Sequence, residues 1–164
     1  MGSEMCIRDR ELRIDADAIT ELDDTQCPTG AFLSVEGSPF DFREMKKIGD
    51  GIHCDNAQLK LGGTYDHNFV INGDGLREAA VLQSKESGIR LTCFTDQPGV
   101  QLYVPCYTLH QKGIDGKDYP PYSAVCLETQ HYPNAINIEH FPSVVLKAGE
   151  NFRSKTLYHF SVMG

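Results

Sequence analysis

The sequence predicts an all-β protein built as an antiparallel β-sandwich. Short runs of alternating apolar and polar residues recur between turn signals, and few segments keep helical periodicity over three turns. Fifteen glycines and eight prolines, spread along 164 residues, supply the breaks between strands. Taken in order, Glu11 to Ala16 reads as a first strand, with turns at Pro28-Thr29-Gly30 and Gly37-Ser38-Pro39. Phe42 to Ile48 is expected to form one short helical turn. Phe69-Val70-Ile71 reads as a strand that ends in the turn Asn72-Gly73-Asp74-Gly75, and Ala79 to Gln83 as the return strand of that hairpin. Ile89 to Phe94 alternates, Gln97-Pro98-Gly99 turns the chain, and Val100 to Val104 alternates again. Ala124 to Gln130 and Thr156 to Val162 complete the set of strands.

Composition narrows the function classes. There are 15 Lys+Arg against 23 Asp+Glu, a formal net charge of −8, which argues against general affinity for nucleic acid or an anionic membrane. No stretch approaches the ~20 apolar residues that a membrane-spanning helix needs. The length suits one domain or a piece of a larger one. Six cysteines, none spaced as CxxC, read as thiols of a reducing compartment, and a cytoplasmic location is expected. His53-Cys54-Asp55 is not expected to hold a metal, because adjacent residues do not converge on one ion without a tight loop. Residues 1–10, MGSEMCIRDR, lack the apolar run of a secretory signal and resemble a translated sequencing-adapter scar. They are set aside from the fold.

Three segments place unusual polar residues in strand-like surroundings. Gly62-Gly63-Thr64-Tyr65-Asp66-His67-Asn68 leads into an apolar strand, so Asp66 and Asn68 either grip a polyhydroxylated ligand or close an Asx-type turn on their own backbone. In Gly99 to Val104, alternation puts Gln101 and Tyr103 on one face, opposite Val100, Leu102 and Val104. That pair suits sugar hydroxyls, or forms the wet face of an ordinary hairpin. In Val125 to Gln130, alternation puts Cys126, Glu128 and Gln130 on one face. Glu128 is read as a base strengthened by partly apolar surroundings, or as a solvated carboxylate. No histidine pairs with a Ser or Cys in a nucleophile motif, so a hydrolase triad has no support.

Together these segments resemble the aldose 1-epimerase family. The matching phrases are Pro28 to Gly30, Ser38 to Arg43, Gln58 to Val70, Thr95 to Tyr103, Cys126 to Asn137, Phe141 to Glu150 and the closing Thr156 to Val162. The resemblance implies a sandwich of the galactose-mutarotase type. It also implies interconversion of α- and β-anomers of hexoses, with no metal or organic cofactor and a small-molecule hexose as partner. It assigns Glu128 as general base, and Asp66 and Gln101 as sugar-binding residues. It also makes residues 11–164 the C-terminal part of one N-terminally truncated domain. The family's general acid and a second site histidine lie in upstream motifs that do not occur here, so this chain alone is expected to have little or no activity. Val104-Pro105-Cys106 stands where relatives commonly carry Thr-Gly-Asn, which bears on sugar preference. The competing reading is a non-catalytic carbohydrate-binding β-sandwich. It is disfavoured by the absence of Trp, on which pyranose rings often stack.

Overall fold

The computed structural model describes residues 9–107, 113, 116 and 118–164. Among these residues ten strands form two five-stranded sheets, all of whose pairings are antiparallel. They are β1 (Glu11–Ile14), β2 (Ala16–Leu22), β3 (Pro28–Ser34), β4 (Lys46–Lys47), β5 (Asp66–Ile71), β6 (Arg77–Gln83), β7 (Ile89–Thr95), β8 (Gly99–Tyr103), β9 (Cys126–Gln130) and β10 (Thr156–Val162). One sheet runs β10-β7-β6-β1-β4 and the other β3-β2-β5-β8-β9. The expected sandwich is what forms.

The inner faces meet over Leu12, Ile14, Ile19, Phe69, Val100 and Leu102, all essentially inaccessible. Segment 35–42 folds over one end and inserts Phe40 and Phe42 against Tyr65 and Phe69, with ring centroids 5.4–6.3 Å apart. The Tyr65 hydroxyl donates to the Pro39 carbonyl at 2.9 Å, so this buried phenol is satisfied. The helical turn expected at 42–48 does not form. Phe42 and Ile48 are both core residues. The chain between them stays extended enough for Lys46–Lys47 to pair with Leu12 and Glu11 as β4, and only Ile48–Asp50 turns as a 3₁₀ helix. The single α-helix among the described residues, α1 (Ala57–Gly62), went unexpected because six residues show no periodicity. It is held by its cap: Asn56 accepts from the Gln58 and Leu59 amides, and Gly63 ends the helix at φ +70°.

The main departure from expectation is at 71–77. Ala79 to Gln83 is indeed a strand, but it does not return along β5; β6 pairs with β1 and β7 in the opposite sheet. The turn is therefore an arch that carries the chain from one layer to the other. A second crossover lies beside it at Asp15, between β1 and β2, whose amide donates to Ala79 and whose carbonyl accepts from Asn72. A third passes from β7 to β8. Arg77 ties two of these crossovers together. Its guanidinium donates to the carbonyls of Ile71, Asn72 and Gly75 on the arch and of Thr95 and Gln97 at the β7–β8 crossover, at 2.7–3.3 Å.

At the far edge, Thr95, Thr156 and Thr129 hydroxyls form a chain at 3.2 and 2.6 Å, joining β7, β10 and β9. The Tyr158 hydroxyl also donates to the Leu127 carbonyl at 2.7 Å. β10 has the expected bounds, yet neither of its alternating faces is buried: Phe160 is 68% exposed and Val162 81%.

Replacing Arg77 with Met removes a forked cation from five carbonyls while keeping the stem. We expect the unfolding free energy in urea to fall by about 3 kcal/mol or more. Arg77→Lys should recover only part of it, because an ammonium does not fork.

Candidate active site

The site is a consequence of strand register. Strands β5, β8 and β9 are neighbours, and their pairing aligns Asn68, Gln101 and Glu128 in one row and Asp66, Tyr103 and Cys126 in the next. Alternation then puts all six side chains on one face of the sheet, with Val100, Leu102 and Leu127 on the core side. Burial falls off along the row: Asn68 is buried, Gln101 half-buried and Glu128 exposed.

Asp66 does not close a turn on its own backbone. Its carboxylate Oδ1 accepts from Gln101 Nε2 at 2.7 Å. Gln130 Nε2 donates to Gln101 Oε1 at 3.0 Å and to Asn68 Oδ1 at 3.2 Å. The Asn68 amide oxygen fits only because residue 99 is glycine; a Cβ there would lie 2.3 Å from it.

A cavity of about 540 Å³, in the range of small-ligand sites, opens over this face. Asp66, Glu128, Tyr103, Tyr107, Cys106 and Gln26 line it, together with Gly62 and Thr64. A smaller hollow of about 120 Å³ shares Asp66, Gly62 and Gln26 with it and adds Gln101 and Asn68. Of the three sequence-predicted site residues, Asp66 lines both hollows, Gln101 the smaller and Glu128 the larger. β9 presents Glu128 at the open rim, where it is exposed. Tyr103 and Cys126 occupy the neighbouring row of the same face. Tyr103 donates to the Tyr107 hydroxyl at 2.8 Å, which holds its own proton and pushes its pKa up to about 12. Burial pushes the Cys126 thiol up, and the Glu128 and Asp66 carboxylates add to that.

Two lining residues escaped sequence reasoning. Gln26 sits in the β2–β3 turn at φ +64°, with Nε2 donating to the Leu61 carbonyl at 2.7 Å. No pattern in sequence announces a left-handed glutamine. Tyr107 follows Cys106 in the segment that departs from the family phrase, and its aromatic character is the one signal it carries. His53, Cys54 and Asp55 diverge: His53 packs on Tyr122, Cys54 points to the Asp50 carbonyl and Asp55 pairs with Lys60.

These elements define an all-antiparallel β-sandwich with an acidic, amide-lined hollow on one sheet. A family model described as aldose 1-epimerase matches residues 2–159, and the chain belongs to that family. It is 40% identical over 160 residues to galactose mutarotase of Bos taurus, which is 95% of this chain and 45% of the relative. It is 30% identical over 163 residues to aldose 1-epimerase of Escherichia coli, covering 97% of this chain and 47% of that one. The crystal structure of a GalM/aldose epimerase homologue from C. elegans superposes with a TM-score of 0.85 at 31% identity, over all of this chain and 49% of the other. Galactose 1-epimerase from Lactobacillus acidophilus superposes with a TM-score of 0.82 at 30% identity, covering 97% of this chain and 46% of that one. The chain spans about half the length of these relatives.

Directly behind Asp66 lies His67, fully buried between the Phe40 ring, 4.6 Å away, and Gly62. Its Nδ1 accepts from the Asp66 amide at 3.2 Å, a contact that an imidazolium loses. Burial brings its pKa down to about 4, against a weaker opposing pull from the Gln58 backbone. Between pH 6.5 and 4 the unfolded chain therefore carries a proton here that the folded one does not. Stability should fall as pH drops through that window, by on the order of 3 kcal/mol. Asp41, held near 2 by its hydrogen bond with Arg43, acts only at lower pH. Urea unfolding as a function of pH should lose its slope between 6.5 and 4 in His67→Phe.

Proposed function

We propose that this chain carries the base and part of the sugar site of an aldose 1-epimerase acting on hexoses such as galactose and glucose. The observation that carries the reading is the shared face of Asp66, Gln101 and Glu128, from three adjacent strands, with Asp66 lining both of the hollows over that face. Family membership and the names of the relatives support it.

The chemistry follows from the groups present. Anomerisation needs the proton of the anomeric hydroxyl removed while another reaches the ring oxygen; the ring opens to the aldehyde, the terminal bond rotates, and closure occurs on the other face. In this reading Glu128 takes the first proton and returns it on closure. Its exposed position leaves it open to a ligand in the recess. Asp66 accepts from sugar hydroxyls, and Gln101 holds it in place while lining the same hollow. The acid that protonates the ring oxygen comes from outside residues 11–164. We place the work in the cytoplasm, since Cys27, Cys54, Cys93, Cys106 and Cys126 are all free thiols suited to a reducing compartment.

Polarimetry of freshly dissolved α-galactose tests the proposal in two proteins. The 164-residue chain alone is expected to accelerate anomerisation little or not at all. A chimera joining residues 11–164 to the N-terminal half of the bovine mutarotase is expected to be active. Its Glu128→Gln variant should lose roughly 10²–10⁴-fold in kcat while retaining galactose affinity. An active chimera whose Glu128→Gln form turns over at the parent rate removes Glu128 as the base.

A further inference from the structure

The geometry points to Gln130 as a positioning residue: its carboxamide fixes the orientation of the Gln101 amide, so that Gln101 presents its NH₂ to Asp66. Its value to sugar binding rests on the reading above, whereas the orientation itself does not.

Hydrogen-bond direction sets the orientation of each amide. A carboxylate only accepts, so Asp66 Oδ1 demands the donor end of Gln101, at 2.7 Å. That leaves Gln101 Oε1 facing Gln130, which must then donate, and it does so at 3.0 Å. The same Gln130 nitrogen also donates to Asn68 Oδ1 at 3.2 Å. Asn68 Nδ2 is consequently left buried with no partner among the described residues. An unpaired buried donor is costly, and reversing all three amides would satisfy it. Asn68 Nδ2 would then donate to Gln130, and Gln130 would accept from Gln101. Only one contact opposes the reversal, the Gln101 carbonyl that would be turned onto the Asp66 carboxylate. The orphaned Asn68 nitrogen is therefore the sign of a relay whose direction is imposed from the Asp66 end and held by a double donor at the Gln130 end.

Register places Gln130 for this task. It lies opposite Gly99, two residues from Glu128 on the same face, and the missing Cβ of Gly99 leaves room for the Asn68 oxygen that it binds. With Gln101 on its Oδ1, Asp66 keeps Oδ2 without a hydrogen bond among the described residues, as the atom left to meet a ligand hydroxyl.

Side-chain carboxamide NMR on the ¹⁵N-labelled 164-residue chain, without ligand, tests the relay. In the native chain, Gln101 Nε2 protons should show contacts to the Asp66 Hβ protons, and Gln130 Nε2 protons contacts to the Asn68 side chain. Gln130→Met removes both donors at nearly constant length, and solvent exchange of the Gln101 NH₂ should speed up about tenfold. Gln130→Glu supplies only acceptors, and should divide the Gln101 NH₂ protons between Asp66 and position 130. Unchanged Gln101 signals in both variants would overturn the inference. So would native-chain contacts running from the Gln101 NH₂ to Gln130, which needs no variant to fold. A parallel galactose titration of the native chain tests the sugar reading separately, since the amide signals are read without sugar.

Discussion

Arg77 is the constraint on which the rest of the molecule depends. Two crossovers between the layers meet at its guanidinium, which binds the carbonyls ending β5 together with those leading from β7 into β8. Both strands that form the centre of the site, β5 and β8, are therefore anchored at one end by the same side chain. Slippage of either by one residue would turn Asp66 or Gln101 toward the core, because side chains alternate between faces. The clamp thus connects a packing decision, which layer each strand joins, to the chemical decision of which side chains share a recess.

The site is graded from interior to rim. Asn68 and His67 are sealed in, Gln101 and Gln130 are half-buried, and Glu128 stands in the open. Polar groups with a supporting task occupy the dry end, where each hydrogen bond is strong and each orphan costly. The carboxylate assigned to proton transfer occupies the wet end. The Thr95–Thr156–Thr129 hydroxyl chain and the Tyr158–Leu127 bond hold β9 from behind, so exposure of Glu128 does not mean looseness of the strand that carries it.

Several strands were readable because one face is dry, but β2 was not, and Pro28-Thr29-Gly30, expected as a turn, begins β3. Val100 to Val104 alternates because one side packs in the core, and the expected facing of Gln101 and Tyr103 holds. Asn72-Gly73-Asp74-Gly75 was equally readable as a reversal, but a turn signal says nothing about which sheet receives the returning strand. That depends on β1, more than sixty residues away in sequence, which offers β6 its edge. Segment 42–48 failed for a related reason: its local pattern permitted a helical turn, and burial of Phe42 and Ile48 at both ends overruled it. The convergence of Asp66, Gln101 and Glu128 was visible through the family phrases and not through periodicity, since it arises from pairing across three strands. Gln26 was beyond either route, because its place depends on a backbone angle that glutamine rarely adopts.

The open edge of β10 has a consequence for how the molecule behaves in bulk. Leu157, Phe160 and Val162 project from a strand that, among the described residues, is hydrogen-bonded on one side only, the pattern that invites edge-to-edge pairing between copies. Opposing this is a formal net charge of −8, whose repulsion reaches roughly 30 Å in 0.01 M salt and about 8 Å at physiological ionic strength. Colloidal stability of the chain is therefore governed by electrolyte: dilute buffer keeps copies apart, and salting in the ordinary laboratory range brings their greasy margins within reach of one another.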